Sequence, residues 1–145
     1  MVLPFGKRDR KMTLKLILVQ NGRVLAEMPL SMADWPRKRL EHELNSFEQE
    51  ADKFSRLFDA LSHQTRLKMM KRLFEEEDQK LGFGDFMRDL DLNPKIVWEN
   101  TRKLREGGLL EKASDGKYCC SDVGAVEFLM LSLVLRRLLQ ALEEL

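Results

Sequence analysis

The first thirty residues carry a strand-like pattern of apolar positions, and everything after them a helical one. Thr13 to Val19 and Arg23 to Met28 are both β-prone and are separated by Asn21-Gly22. Asn-Gly favours a type I′ turn, because both central residues of that turn need positive φ. The pattern predicts a two-stranded hairpin in which Val19 faces Val24 and Leu18 faces Leu25. Ile17, Val19, Val24, Ala26 and Met28 then share one face, and Leu14, Leu16, Leu18 and Leu25 the other. An isolated hairpin is marginal in water, so a hairpin apolar on both faces is expected to pack between the rest of the chain and a second copy of it.

Asp34 followed by Trp35-Pro36 predicts a helix start, with Pro tolerated in the first turn. From there Leu40, Leu44, Phe47, Ala51, Phe54, Phe58 and Leu61 recur at alternating spacings of 4 and 3, a heptad stripe with polar Glu41, Glu43, Glu48, Glu50, Asp52 and Lys53 between. A second helix follows Ser62, carrying Leu67, Met70, Leu73 and Phe74, and runs into the solvated acidic stretch from Glu75 to Asp78. A short helix over Phe83 to Leu90 leads through a turn at Asp91-Leu92 into a helix with Asn93 as N-cap and Pro94 at its first position. Gly107-Gly108 ends that helix, glycine tolerating the left-handed C-terminal geometry best. Leu109 to Ala113 and Tyr118 to Ser121 flank a turn at Ser114-Asp115-Gly116-Lys117 and read as a second hairpin. Ser121 caps a last helix through Leu145. Its apolar residues form two stripes, one through Phe128, Leu131, Leu135, Leu138, Leu142 and Leu145, the other through Val126, Leu129, Met130, Leu133 and Val134. Such a helix is expected to be covered on one side by its own domain and on another by a partner.

Composition narrows the class. The chain has 145 residues, 43% hydrophobic and 34% charged, with 8 Gly and 4 Pro, which suits a helix-rich globular protein and excludes collagen-like and low-complexity classes. Lys+Arg 25 against Asp+Glu 24 leaves a formal charge of +1, so any attraction to nucleic acid must come from local patches. Cys119 and Cys120 are adjacent, unlike a secreted disulfide framework, and point to a reducing compartment. Met1 to Gly6 is too short for a signal-peptide core, and the apolar run Phe128 to Leu135 is far short of a bilayer span. The expectation is a soluble cytoplasmic protein with no membrane partner.

The order helix, helix, short helix, turn, capped helix, hairpin, helix is that of a winged helix-turn-helix domain, and the residues sharpen it. Leu57-Phe58-Asp59-Ala60-Leu61-Ser62-His63-Gln64-Thr65-Arg66-Leu67 resembles the opening signature of the ArsR-like transcription regulators, a Leu-x-Ala-Leu run followed by Thr-Arg-Leu. Phe83-Gly84-Asp85-Phe86 with Leu90 and Leu92 is similar to the first helix of that family's helix-turn-helix. Leu104-Arg105-Glu106-Gly107-Gly108-Leu109 is similar to the end of its recognition helix, and Gly116 with Tyr118-x-Cys120-Ser121 sits where the family has its wing. The resemblance covers about Phe54 to Leu145. This chain departs from the pattern in three places. His63-Gln64 stands for a common Asp-Pro, which leaves the N-cap duty to Ser62; Asp91 stands for a turn glycine; Trp98-Glu99-Asn100-Thr101 replaces a common Ser-Arg-His-Leu.

The hairpin pattern and the resemblance together predict a mainly α protein with small β, a winged helix-turn-helix with an N-terminal β-hairpin extension and a C-terminal dimerisation helix. Residues 1–31 are expected to form a basic arm (Lys7, Arg8, Arg10, Lys11) and hairpin, and residues 32–145 the winged domain with its dimerisation helices. The resemblance implies a homodimeric transcription regulator that binds double-stranded DNA, with a recognition helix at about 93–106 and a wing at about 109–121. Lys95, Trp98, Glu99, Asn100, Arg102 and Lys103 on that helix, with Lys112 and Lys117 on the wing, are the expected DNA-binding residues. Arg37-Lys38-Arg39 divides equally between a wider basic footprint and plain solvated surface.

Each residue also has a plainer reading. Val97, Thr101 and Leu104 mark the inward face of the helix, so Lys95, Glu99, Arg102 and Glu106 face out and form two opposite-charge i,i+4 pairs, as any salt-bridged exposed face would. Trp98 reads more readily as a core-edge residue. Many members of the family sense metals through paired Cys on the short helix or through Asp and His on the last helix; here Phe83 to Leu92 contains no Cys or His, the last helix contains no His, and Cys119 and Cys120 point to opposite faces of a strand. His42 and His63 read as surface or helix-end residues, and nothing near Cys119 marks a lowered thiol pKa. No phosphate-binding glycine loop, nucleophile elbow or metalloprotease motif is present, so neither enzyme activity nor cofactor is expected. A rival to the DNA-binding reading is a winged-helix protein-interaction module, and an effector or protein partner remains open under both.

Overall fold

The structure, a computed structural model, describes residues 14–144; the basic arm at Lys7 to Lys11 and the terminal Leu145 lie outside the described residues. The protein is mainly helical, with small antiparallel sheets. It divides into two compact units that meet between Glu50 and Ala51.

In the first unit, β1 (Lys15–Gln20) and β2 (Arg23–Pro29) form the hairpin, turned by Asn21 and Gly22, both at positive φ. Val19 faces Val24 as expected, but Leu18 faces Ala26 rather than Leu25, because a bulge inserts Leu25 as an extra residue opposite the Leu18/Val19 step. A one-residue shift exchanges the faces of everything beyond it. Leu16, Leu18, Ala26 and Met28 therefore share an apolar face, whereas Ile17 shares the other with Lys15 and Glu27, whose charges lie 3.6 Å apart. The expected division of the two faces is thus corrected by the bulge. A 3₁₀ turn (Met32–Asp34) follows, and the Trp35 indole N–H donates to the Pro29 carbonyl at 2.8 Å, tying the turn to the end of β2. Helix α1 (Arg37–Gln49) completes this unit, which buries none of its described residues.

The second unit holds the core. The heptad stripe passes from α1 to a separate helix, α2 (Ala51–Leu61), since Glu50 ends the first. α3 (Gln64–Glu75) is capped by His63, not by Ser62: the His63 Nδ1 accepts the Thr65 N–H at 3.1 Å, while the Ser62 hydroxyl donates back to the Asp59 carbonyl at 2.8 Å. A strand too short to show a period, β3 (Lys80–Leu81), precedes α4 (Phe83–Leu90). Asp91 adopts the left-handed conformation where the chain turns toward α5 (Pro94–Glu106), whose N-cap Asn93 accepts the Ile96 N–H at 2.9 Å. β4 (Glu111–Lys112) and β5 (Tyr118–Cys119) form the second hairpin, and β5 also pairs with β3, giving the order β3-β5-β4. Gly116, at φ +82, supplies the positive φ of its turn.

The chain ends in α6 (Asp122–Leu129), a π-helical turn (Met130–Val134) and α7 (Leu135–Glu143). Ser121 caps α6 by accepting the Gly124 N–H at 2.9 Å. Met69, Met70, Leu73, Phe86, Val97, Leu104 and Leu109 are fully enclosed, and Leu57, Ala60, Leu81, Leu110, Tyr118 and Phe128 complete the core. Enclosing each large apolar side chain contributes roughly 1.5–3 kcal/mol. The net result is that one face of α5 is held by α2, α3 and α4, and the opposite face is left to solvent.

Candidate nucleic-acid interface

Helix α5 carries six of the eight expected site residues, Lys95, Trp98, Glu99, Asn100, Arg102 and Lys103. Val97, Thr101 and Leu104 are buried, as their spacing requires, and the Thr101 hydroxyl donates to the Val97 carbonyl at 2.8 Å. Lys95, Trp98, Glu99, Arg102, Arg105 and Glu106 are exposed. The two expected i,i+4 pairs are present: Lys95 to Glu99 and Arg102 to Glu106, each at 3.9 Å. Pairs this open to water contribute about 0–1 kcal/mol and are easily exchanged for another partner. Trp98 is 56% exposed and so is not a core-edge residue; the Arg102 guanidinium lies 5.1 Å from its ring centroid in a cation–π arrangement.

Asn100 differs from its neighbours. Expected among the DNA-binding residues, it is instead buried, accepting from an Arg66 guanidinium N–H at 2.9 Å and donating to the Ile96 carbonyl at 2.7 Å. Arg66 is buried too, and its remaining bonds go to the last carbonyls of α2: Nε–H to Ala60 at 2.7 Å and the second terminal nitrogen to Asp59 at 2.9 Å. A cation at a helix C-terminus satisfies carbonyls that lack intrahelical partners and complements the helix dipole. Asn100 is thereby a positioning residue that fixes α5 against α2 and α3. The signal for it was in the spacing: Asn100 lies 3 positions after Val97 and 4 before Leu104. Nothing in the linear sequence marks Arg66 as its partner, 34 positions away.

Lys103 leans to the side of the helix, where its Nζ contacts the Asp59 carboxylate at 2.9 Å. That contact, as hydrogen bond and as charge, holds the Asp59 carboxyl below the ordinary carboxylate range. Between the start of α3 and the middle of α5 lies a groove of about 390 Å³, lined by His63, Thr65, Arg66, Glu99, Arg102 and Lys103 among others. On the second hairpin, Lys112 and Lys117 are exposed; the Lys112 ammonium sits 5.5 Å from the Tyr118 ring centroid, and the Lys117 N–H donates to Asp115 within the turn at 3.0 Å. Lys112 and Lys117 are not part of the groove.

Burial pushes the Cys119 thiol up, and burial followed by the neighbouring Cys119 raises that of Cys120 to about 11. No group of His, Cys, Asp and Glu suited to a metal ion occurs among the described residues. No described helix is long and apolar enough to cross a membrane. A second exposed surface runs along α6, the π turn and α7, where Leu129, Met130, Leu133, Val134, Leu135 and Leu139 are all open to solvent. No known protein family matches the chain, and no curated protein matches it either.

Proposed function

We propose that the protein is a sequence-specific, double-stranded DNA-binding transcription regulator that acts as a homodimer, a winged helix-turn-helix of ArsR-like type. The observation that carries this reading is the presentation of α5. Its inner face is locked by Val97, Asn100, Thr101 and Leu104, and its outer face offers Lys95, Trp98, Glu99 and Arg102 with the two hairpin lysines in the same compact unit. A rigid helix with an open polar face suits a major groove, whose base edges are read by such side chains while lysines meet phosphates. Phosphate neutralisation supplies the sequence-independent affinity, and Lys112 and Lys117 are suited to it. On this reading α4 and α5 are the helix-turn-helix, β4 and β5 the wing, and the exposed apolar surface of α6 to α7 the C-terminal dimer contact.

A second reading, a winged-helix module that docks a protein, has its own supporting observation: the cations of α5 are matched by carboxylates, Lys95 by Glu99, Arg102 by Glu106 and Lys103 by Asp59. Selection of protein-bound fragments from the source genome separates the two. The regulator reading expects enriched fragments that share a two-fold symmetric site with half-sites about one helical turn apart, and sedimentation of a dimer at micromolar concentration. Failure to enrich any fragment by a folded protein transfers the assignment to the docking module.

A further inference from the structure

The groove between α3 and α5 has features that neither the outward face of α5 nor the second hairpin explains. Three cations line it, Arg66, Arg102 and Lys103, with one lining carboxylate, Glu99, turned toward Lys95; Arg102 and Lys103 also reach carboxylates outside the lining, Glu106 at 3.9 Å and Asp59 at 2.9 Å. Arg66 is immobilised by three hydrogen bonds and serves as a fixed positive charge in the groove wall. The backbone at the start of α3 is not the attraction, because His63 already accepts the Thr65 N–H. That bond has a consequence for the imidazole: with Nδ1 accepting, the neutral ring carries its proton on Nε2, which makes His63 a donor. The residues of the groove thus include an ammonium, a fixed guanidinium, an imidazole with a donor nitrogen and a hydroxyl, at Lys103, Arg66, His63 and Thr65, a set suited to a tetrahedral anion.

We propose that this groove seats one phosphodiester of the DNA backbone alongside α5, with Lys103 exchanging the Asp59 carboxylate for the phosphate; the inference rests on the DNA-binding reading above. The exchange is inexpensive, since the Lys103–Asp59 pair is solvent-exposed and such pairs are worth little. It requires no movement of Arg66 or Asn100, which hold the groove's shape. Asp59 acts here as a competitor for Lys103, so the two residues have opposite expected effects on affinity.

The test is fluorescence anisotropy of a labelled duplex of random sequence against the full chain, titrated across a range of salt, for the wild type, Lys103→Met and Asp59→Asn. Lys103→Met should weaken binding roughly eight-fold at about 0.1 M salt and make the log–log salt slope shallower by about 0.9, as loss of one neutralised phosphate requires. Asp59→Asn, which keeps the backbone carbonyl that binds Arg66, should strengthen binding about two- to five-fold for every sequence. Equal melting temperatures keep a folding defect apart from a binding one. If the wild type binds and neither variant changes affinity or slope, the phosphate seat is overturned while the DNA-binding reading stands. If the folded wild type binds no duplex at all, the DNA-binding reading falls and the seat with it.

Discussion

Arg66 and Asn100 meet in the interior of the second unit, guanidinium N–H to amide oxygen at 2.9 Å, and through that bond the exposed helix α5 is referenced to the carboxyl end of α2. Asn100→Ala removes the acceptor and leaves a buried guanidinium N–H without it. The expected cost is about 1–3 kcal/mol of stability, measured by denaturant unfolding. An unchanged midpoint would mean that the bond does not hold α5.

The same two helices approach closely at Gly107. A Cβ built there would lie 2.6 Å from the Ala60 Cβ and 3.1 Å from the Arg56 carbonyl oxygen. Gly107→Ala must push α5 away from α2 and should destabilise by about 1–3 kcal/mol. Gly84→Ala is the control: nothing lies within 4 Å of the added Cβ in α4, so thermal melting should be unchanged or raised by up to about 1 kcal/mol of stability. A Gly107→Ala protein as stable as the wild type would contradict the packing.

Asp85 closes the start of α4, accepting the Gly82 N–H at 2.8 Å and an Arg88 guanidinium N–H at 2.9 Å. The Gly82 bond first, then Arg88, hold its carboxyl below the ordinary carboxylate range. A carboxyl depressed in the folded state contributes stability that is complete above its unfolded value, near 3.9, and is lost as pH falls through the folded value. Asp85→Ala should therefore cost about 0.5–2 kcal/mol at neutral pH. The gap to the wild type should close progressively below about pH 4. A gap constant from pH 7 to pH 3 would show that the carboxylate charge is not what caps the helix.

The outward charges of α5 separate base reading from screening. Arg102→Ala should cost roughly 1–3 kcal/mol at the preferred site and relax preference at one position, whereas Lys117→Ala should weaken all sequences alike and reduce the salt slope by about one. Glu99 stands 3.9 Å from Lys95 and shares the groove with Arg102. Glu99→Ala should raise affinity for every sequence by unmasking positive charge; a loss of specificity instead would identify Glu99 as an acceptor for cytosine.

Much of this architecture is legible in the sequence because it rests on local rules. Asn21-Gly22, Asn93-Pro94 and Ser121 announce a turn and two helix starts, and Val97, Thr101 and Leu104 announce an inward face. What escapes is set by contacts distant in sequence or by elements too short for a period. The bulge at Leu25 leaves no trace where both candidate faces are apolar. Lys80-Leu81 becomes a strand only because β5 lies beside it. The π turn within the last apolar stretch, where the Ser132 hydroxyl donates to the Phe128 carbonyl at 2.6 Å, lies within apolar stripes that read as continuous helix. In the candidate site, Arg66 and Asp59 escape because their roles depend on where α5 comes to lie.

The central claim, that α5 and its surroundings bind double-stranded DNA, is tested most directly by titrating the wild-type chain with a labelled random-sequence duplex between about 50 and 200 mM salt. The account predicts measurable binding at the low end and a linear fall of log affinity with log salt, with a slope of several units set by the phosphates neutralised. A folded, dimeric protein that leaves the duplex unbound at about 50 mM salt would contradict it.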